Sequence, residues 1–235
     1  MNVGDFIYPS KALADVKGQY LMPEDFLEFY SKLDDIERKS LVFHYIMDNS
    51  PYAFNEVYKK PLLYEQVKQY IAHVLDLDIS HIKLIGSTKT GFKMDIKDYG
   101  VPYTKDRDLD FMIIDEYLFN GLKGEFEVWK EAYLEKNEMQ PRNDKEKSYW
   151  EENIYRTLPN AINFGFIDTK HMPNNTNYLP LNSKVNNTVF LVYSRLKSAH
   201  GFCSIGASVR VYKDVDCYYC QQCRNINAII DSRNK

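Results

Sequence analysis

Through the first eighty positions, apolar residues recur at helical spacing. Pro23-Glu24-Asp25 opens a run whose apolar side carries Phe26, Leu27, Phe29, Tyr30 and Leu33. Ile36 to Met47 repeats the spacing. Leu62, Leu63, Val67, Ile71 and Val74 follow Pro61, a residue suited to a first helical turn. From Ser80 the period falls from 3.6 to 2. Ile82, Leu84 and Ile85 predict a short strand that stops at Gly86-Ser87, and Asp108 to Ile114 (DLDFMII) predicts a second. NFGFID, Asn163 to Asp168, predicts a third, closed by Met172-Pro173 and an Asn-rich loop. A fourth is expected around Ala207 to Tyr212. Helices are expected over Glu125 to Lys147, a charged segment with Trp129 inside it and Trp150 just beyond, over 188–199, and from Asp214 onward. The pattern implies a sheet domain of the α+β or α/β class. Residues 1–80 form a helical N-terminal part packed on the core, and 81–235 form the core, ending in a helix and a short tail.

Composition narrows the classes. Of 235 residues, 44% are hydrophobic and 27% charged, the usage of an ordinary globular chain. Thirty basic against thirty-three acidic side chains give a net charge of -3, which argues against coating nucleic acid by charge alone. No apolar run approaches the ~18 to 20 residues that span a bilayer, so no membrane insertion is expected. The opening MNVGDFIYPSKALADV carries Asp5 and lacks the apolar stretch of a secretory signal. Four cysteines in a chain of this length do not suggest a disulfide scaffold. The expectation is a reduced, cytoplasmic protein.

The chemistry concentrates in two places. Gly86-Ser87 closes an apolar strand. A glycine there lets backbone approach a ligand, and a helix starting at the bend would aim N–H groups and the Ser87 hydroxyl at a phosphate. Lys89 and Lys93 follow and can neutralise phosphate oxygens. Asp108 and Asp110 then open the next strand, two apart and so on one face, as a pair of carboxylates sharing Mg²⁺ or Mn²⁺ requires. Each half alone has an ordinary explanation, a turn and a solvated strand end; their order in the chain is what counts. A third acid completes most such sites. Asp168 is the choice here, with Asp95, Asp214 and Asp216 as rivals and a plain strand-end cap as the alternative for Asp168. Cys217, Cys220 and Cys223, with His200 and Cys203 upstream, have the spacing of thiolate metal ligands, but the same spacing lines one buried face of a helix. No second CxxC completes a set. The histidines form no HxxxH pair, and no Gly-x-Ser-x-Gly, Walker A or dinucleotide fingerprint is present.

LIGS followed by RDLDFMII, within residues 82–114, resembles the DNA polymerase β-like nucleotidyltransferase superfamily. The longer string LIGSTKTGFKMDIKDYG…KDRDLDFMIID is similar to small bacterial nucleotidyltransferases of anti-phage defence loci, of the Hailong type, with looser likeness from PLLYEQVKQYIAHVL to Tyr219. The resemblance implies an α+β fold, a polymerase-palm mixed sheet flanked by helices. It implies that Gly86 and Ser87 hold nucleotide phosphates and that Asp108 and Asp110 bind the metal. The activity it implies is template-independent transfer from a nucleoside triphosphate. The product would be a nucleotide or short single-stranded oligonucleotide signal, such as oligodeoxyadenylate, read by a separate effector protein. Lys89, Lys93 and Arg107 would stabilise the developing charge. Hailong-type enzymes resemble polymerases that prime on their own C-terminal hydroxyl; Ser232, Tyr218 and Tyr219 are the groups that could serve here, Ser232 lying in the polar tail DSRNK. Two other readings stay open: a toxin-type enzyme that modifies a protein or tRNA, and a catalytically silent nucleotide-binding module. One departure from the family is the interval of some twenty residues between Gly-Ser and Asp108, expected to form a loop or hairpin.

Overall fold

A computed structural model describes residues 2–5 and 7–233. In chain order the helices are α1 Lys11–Asp15, α2 Pro23–Lys32, α3 Asp35–Val42, α4 Pro61–Leu75 and α5 Ser87–Thr90, followed by α6 Glu116–Leu134, α7 Asp144–Glu152, α8 Leu158–Asn163, α9 Pro180–His200 and α10 Val215–Arg233. The strands are β1 Ile82–Leu84, β2 Leu109–Ile114, β3 Phe166–Asp168 and β4 Ala207–Tyr212. The architecture is α+β. Two compact units interleave along the chain: one holds 1–61, 85–104 and 219–235, the other 62–84 and 105–218.

The second unit contains the sheet, in order β1-β2-β4-β3. It is mixed: β1 runs antiparallel to β2, β2 parallel to β4, and β4 antiparallel to β3. Register follows side-chain alternation. Leu84 and Val209 flank Phe111, while Ile82 and Val211 flank Ile113, and Ile167 lies beyond Val211. All of these are fully buried. The opposite face carries Asp110, Ser208, Arg210 and Asp168, so polar groups gather on one side of the sheet.

Three helix boundaries differ from the periodic reading. The expected Glu125–Lys147 helix is two. α6 starts earlier, at Glu116, with Asp115 accepting from the Leu118 N–H, and it ends at Leu134. Asn137 adopts φ 56° and Pro141 follows, so the chain turns before α7, where Asn143 caps the Glu146 N–H. Trp129 and Trp150 then meet edge to face, 5.5 Å apart, and join the two helices. α9 begins eight residues before its expected start at 188 because Glu125 of α6 accepts the Leu181 and Asn182 N–H groups at 2.6 and 2.7 Å. That carboxylate satisfies orphan donors and favours the positive end of the helix. The Ile36–Met47 helix is α3, with an Asp34/Glu37 capping box, continued by a π-helical turn over Phe43–Asp48.

None of the four cysteines is in a disulfide, and among the described residues no group of three His, Cys, Asp or Glu side chains is arranged to hold a metal ion. Cys217 instead packs on the backbone of Gly165; burial, and then Asp214, pushes its thiol up to about 11. Among the described residues no helix is long and apolar enough to cross a membrane.

Gly165 has φ +78°, and a Cβ there would lie 2.2 Å from the Cys217 Sγ and 2.9 Å from its Cβ. Gly165→Ala should therefore lower stability by about 2 kcal/mol or more, of which roughly 1–2 comes from the left-handed backbone alone. Adding Cys217→Ala should recover only part of that loss in urea unfolding. Full recovery would show that the backbone conformation carries no strain.

Candidate carboxylate site

Asp108 directly precedes β2 and Asp110 is its second residue. Between them Leu109 is fully buried, and its N–H donates to the Gly206 carbonyl at 3.0 Å, which ties the head of β2 to the start of β4. With Leu109 anchored inward, strand alternation turns both carboxylates to the other face, roughly 6 to 7 Å apart along the chain. β4 supplies small neighbours. Ser208 lies opposite Asp110 and donates its hydroxyl to Oδ1 at 2.6 Å. Gly206 leaves room beside Asp108, where a Cβ would stand 3.1 Å from Oδ1. The Asp108 carboxyl is held above the usual carboxylate range, first by partial burial and then by the charge of Asp110; Lys170 and Arg107 oppose the rise. Arg107 is half-buried, and its Nε has no hydrogen-bond partner among the described residues.

Asp168 is placed differently from the expectation. It ends β3 opposite Arg210, whose Nε and a terminal nitrogen donate to its two oxygens at 2.9 and 2.7 Å. β4 lies between β2 and β3, and Asp168 is level with Met112 rather than Asp110, so the two acids are two strand spacings apart and two residues out of step, roughly 12 Å. The position beside Asp110 on the adjoining strand belongs to Ser208, and the structure does not gather the three acids into one ligand set. His171 Nε2 is 3.8 Å from Asp168, and its Nδ1 meets Asn153 at 3.1 Å. Burial pushes the His171 pKa down despite the Asp168 charge. Of the rivals, Asp214 accepts the Cys217 N–H at the start of α10, Asp95 accepts the Asp98 N–H, and Asp216 is exposed in the first turn of α10.

The other unit holds the Gly-Ser bend. Gly86 has φ 67° and ψ −159°, a conformation that essentially only glycine adopts, and it caps the one-turn helix α5 that Ser87 opens. Ser87 is half-buried. Lys89 points inward: it is 1% exposed and its ammonium donates to the Asn49 carbonyl. Lys93 pairs with Asp98. The long interval after Gly-Ser is an irregular hairpin, closed by the Phe92–Pro102 bridge and the Lys93 N–H to Val101 carbonyl bond of 2.9 Å. Ser232 is not in a loose tail; it sits in the last turn of α10 and donates to the Ile229 carbonyl at 2.8 Å. Tyr218 is fully buried, whereas Tyr219 is half-buried.

Gly206 and Ser208 are the contributors that sequence reasoning missed. Small residues carry no chemical signal, and only strand pairing brings them to the acids. Comparison with protein-family models, with curated proteins and with solved structures finds no match to this chain.

A raised carboxyl pKa means that the folded protein holds the proton more tightly than the unfolded chain. Its stabilising contribution is complete below about pH 4 and is lost as pH rises through the folded value. Asp108→Asn should accordingly be more stable than wild type at pH 7, and the difference should shrink towards zero below about pH 4. Urea unfolding across that range measures it. A destabilised variant at pH 7 would show that the Asp108 charge is favourable where it stands.

Proposed function

We propose that this chain is a divalent-metal-dependent, template-independent nucleotidyltransferase in which Asp108 and Asp110 form the metal-binding pair. The observation that carries the reading is the pair itself: two carboxylates on one face at the head of a buried strand, close enough that the charge of Asp110 raises the proton affinity of Asp108. An oxygen-only donor set suits Mg²⁺ or Mn²⁺ rather than zinc. Like charges held together by a rigid strand are stabilised by a cation, and Gly206 puts no side chain beside Asp108. Such an ion, when bound, lowers the pKa of an attacking hydroxyl and balances charge on the leaving pyrophosphate.

The chain's own groups then divide the work. Ser208 fixes one oxygen of Asp110 and so orients the carboxylate. Arg107 and Lys170, whose charges already act on Asp108, add positive potential where the phosphates gain negative charge. Gly86 and Ser87 are assigned to the triphosphate on the order of the motif in the chain and on the glycine-only backbone at Gly86. Lys89, buried against Asn49, takes no part. The polymerase-palm fold, and a short oligonucleotide signal for a defence effector, rest on the resemblance of LIGS and RDLDFMII. A second reading, a silent nucleotide-binding module, draws on a specific observation: Ser208 stands where a third acid would be, and Asp168 is engaged by Arg210.

Incubation with each labelled ribo- and deoxyribonucleoside triphosphate and Mg²⁺ tests the enzyme. Pyrophosphate and a labelled product should form. Asp108→Ala with Asp110→Ala should reduce the rate by about a hundredfold or more, as loss of several kcal/mol of metal stabilisation requires. Equal turnover in the double variant would overturn the assignment, and binding without turnover in wild type would favour the silent module. Label that stays on the protein and disappears with Ser232→Ala would identify the acceptor.

A further inference from the structure

The geometry points to a second nucleotide site, in the unit without the sheet, that takes a nucleobase carrying a phosphate. A cleft of about 670 Å³ opens there beside α3 and the middle of α10, lined by Tyr30, Arg38, Lys39, Phe43, Tyr219 and Asn227 among others. Its size is that of a small-molecule site. Phe43 and Tyr219 are both half-buried and meet edge to face with centroids 5.9 Å apart. The Lys39 ammonium lies 5.5 Å from one ring and 5.4 Å from the other. Arg38 stands 5.2 Å from the ring of Tyr30, which is buried in the wall. Two half-buried rings that share the Lys39 ammonium, with Arg38 held nearby by the Tyr30 carbonyl, fit a planar, electron-rich ring with an anionic group attached. Asn227 offers an amide donor and acceptor for a base edge.

An ordinary packing role explains less. Phe43 and Tyr219 do not close into a core: they line an open cleft and share one cation, Lys39. The acid in the cleft, Asp35, pairs weakly with Arg38 at 3.5 Å, and its side chain is 98% exposed, so water screens its repulsion of a phosphate. None of these residues belongs to the Asp108–Asp110 pair, and the inference does not depend on that pair being catalytic.

Calorimetric titration with adenosine 5′-monophosphate in EDTA tests it, since no divalent ion is then present for the carboxylates. Saturable binding is expected, about tenfold or more tighter than for adenosine. Lys39→Gln should remove that advantage, and Tyr219→Leu should weaken binding about tenfold, the effect of one lost base–aromatic stack. Unchanged circular dichroism keeps the variants interpretable, and Lys39→Gln alters no buried group. Asp108→Ala with Asp110→Ala should bind the monophosphate as wild type does, so failure here and failure of the nucleotidyltransferase reading are separable. A hexamer of deoxyadenylate binding more tightly than the monophosphate would identify a single-stranded end as the ligand; equal affinity would identify a free nucleotide. Inorganic phosphate binding as well as the monophosphate, or no effect of either variant, would overturn the site.

Discussion

The register of β2 is the constraint on which the candidate site depends. Phe111, Met112 and Ile113 are fully buried at the middle of the sheet, and Leu109 is fully buried at its head. Because side chains alternate strictly, a slip of one residue would drive Asp108 and Asp110 inward and turn Leu109 out. Burial of an unpaired carboxylate and exposure of leucine both oppose that slip. The apolar contacts of Ile82, Leu84, Val209 and Val211 therefore do more than stabilise the sheet. They fix the direction in which two negative charges point.

Those charges are then held in an arrangement that water alone would not favour. Asp110 lies close enough to raise the proton affinity of Asp108, while Lys170 and Arg107 relieve part of the repulsion. Ser208 gives Asp110 one hydrogen bond. A short distance across the same face, Arg210 and Asp168 satisfy each other bidentately, so that polar group is closed off by its own partner. One face thus carries an ion pair and, beside it, an acid pair.

Much of this was readable in the amino-acid order. The four expected strands are present, but the third is shorter than NFGFID: Asn163 ends α8, Gly165 turns the chain, and β3 begins at Phe166; the Asp108–Asp110 pair follows from period-two alternation. What was not readable depends on distant partners. The start of α9 is set by Glu125, 56 residues before the N–H group of Leu181 that it accepts. The neighbour of Asp110 is decided by β4 inserting between β2 and β3, which makes Ser208 its cross-strand partner and gives Asp168 to Arg210. Lys89 looked like a phosphate ligand from its place after Gly-Ser, but a carbonyl at Asn49 draws its ammonium inward. The break between α6 and α7 was local, at Asn137 and Pro141, and was masked by the charged, helix-favouring residues around it.

Anomalous diffraction from crystals soaked in Mn²⁺ would test the central claim most directly. The account predicts a peak bridging the carboxylates of Asp108 and Asp110, about 2.0 to 2.3 Å from their oxygens, and none at Asp168. Density confined to other acids, with the Asp108–Asp110 pair bare at millimolar Mn²⁺, would contradict it.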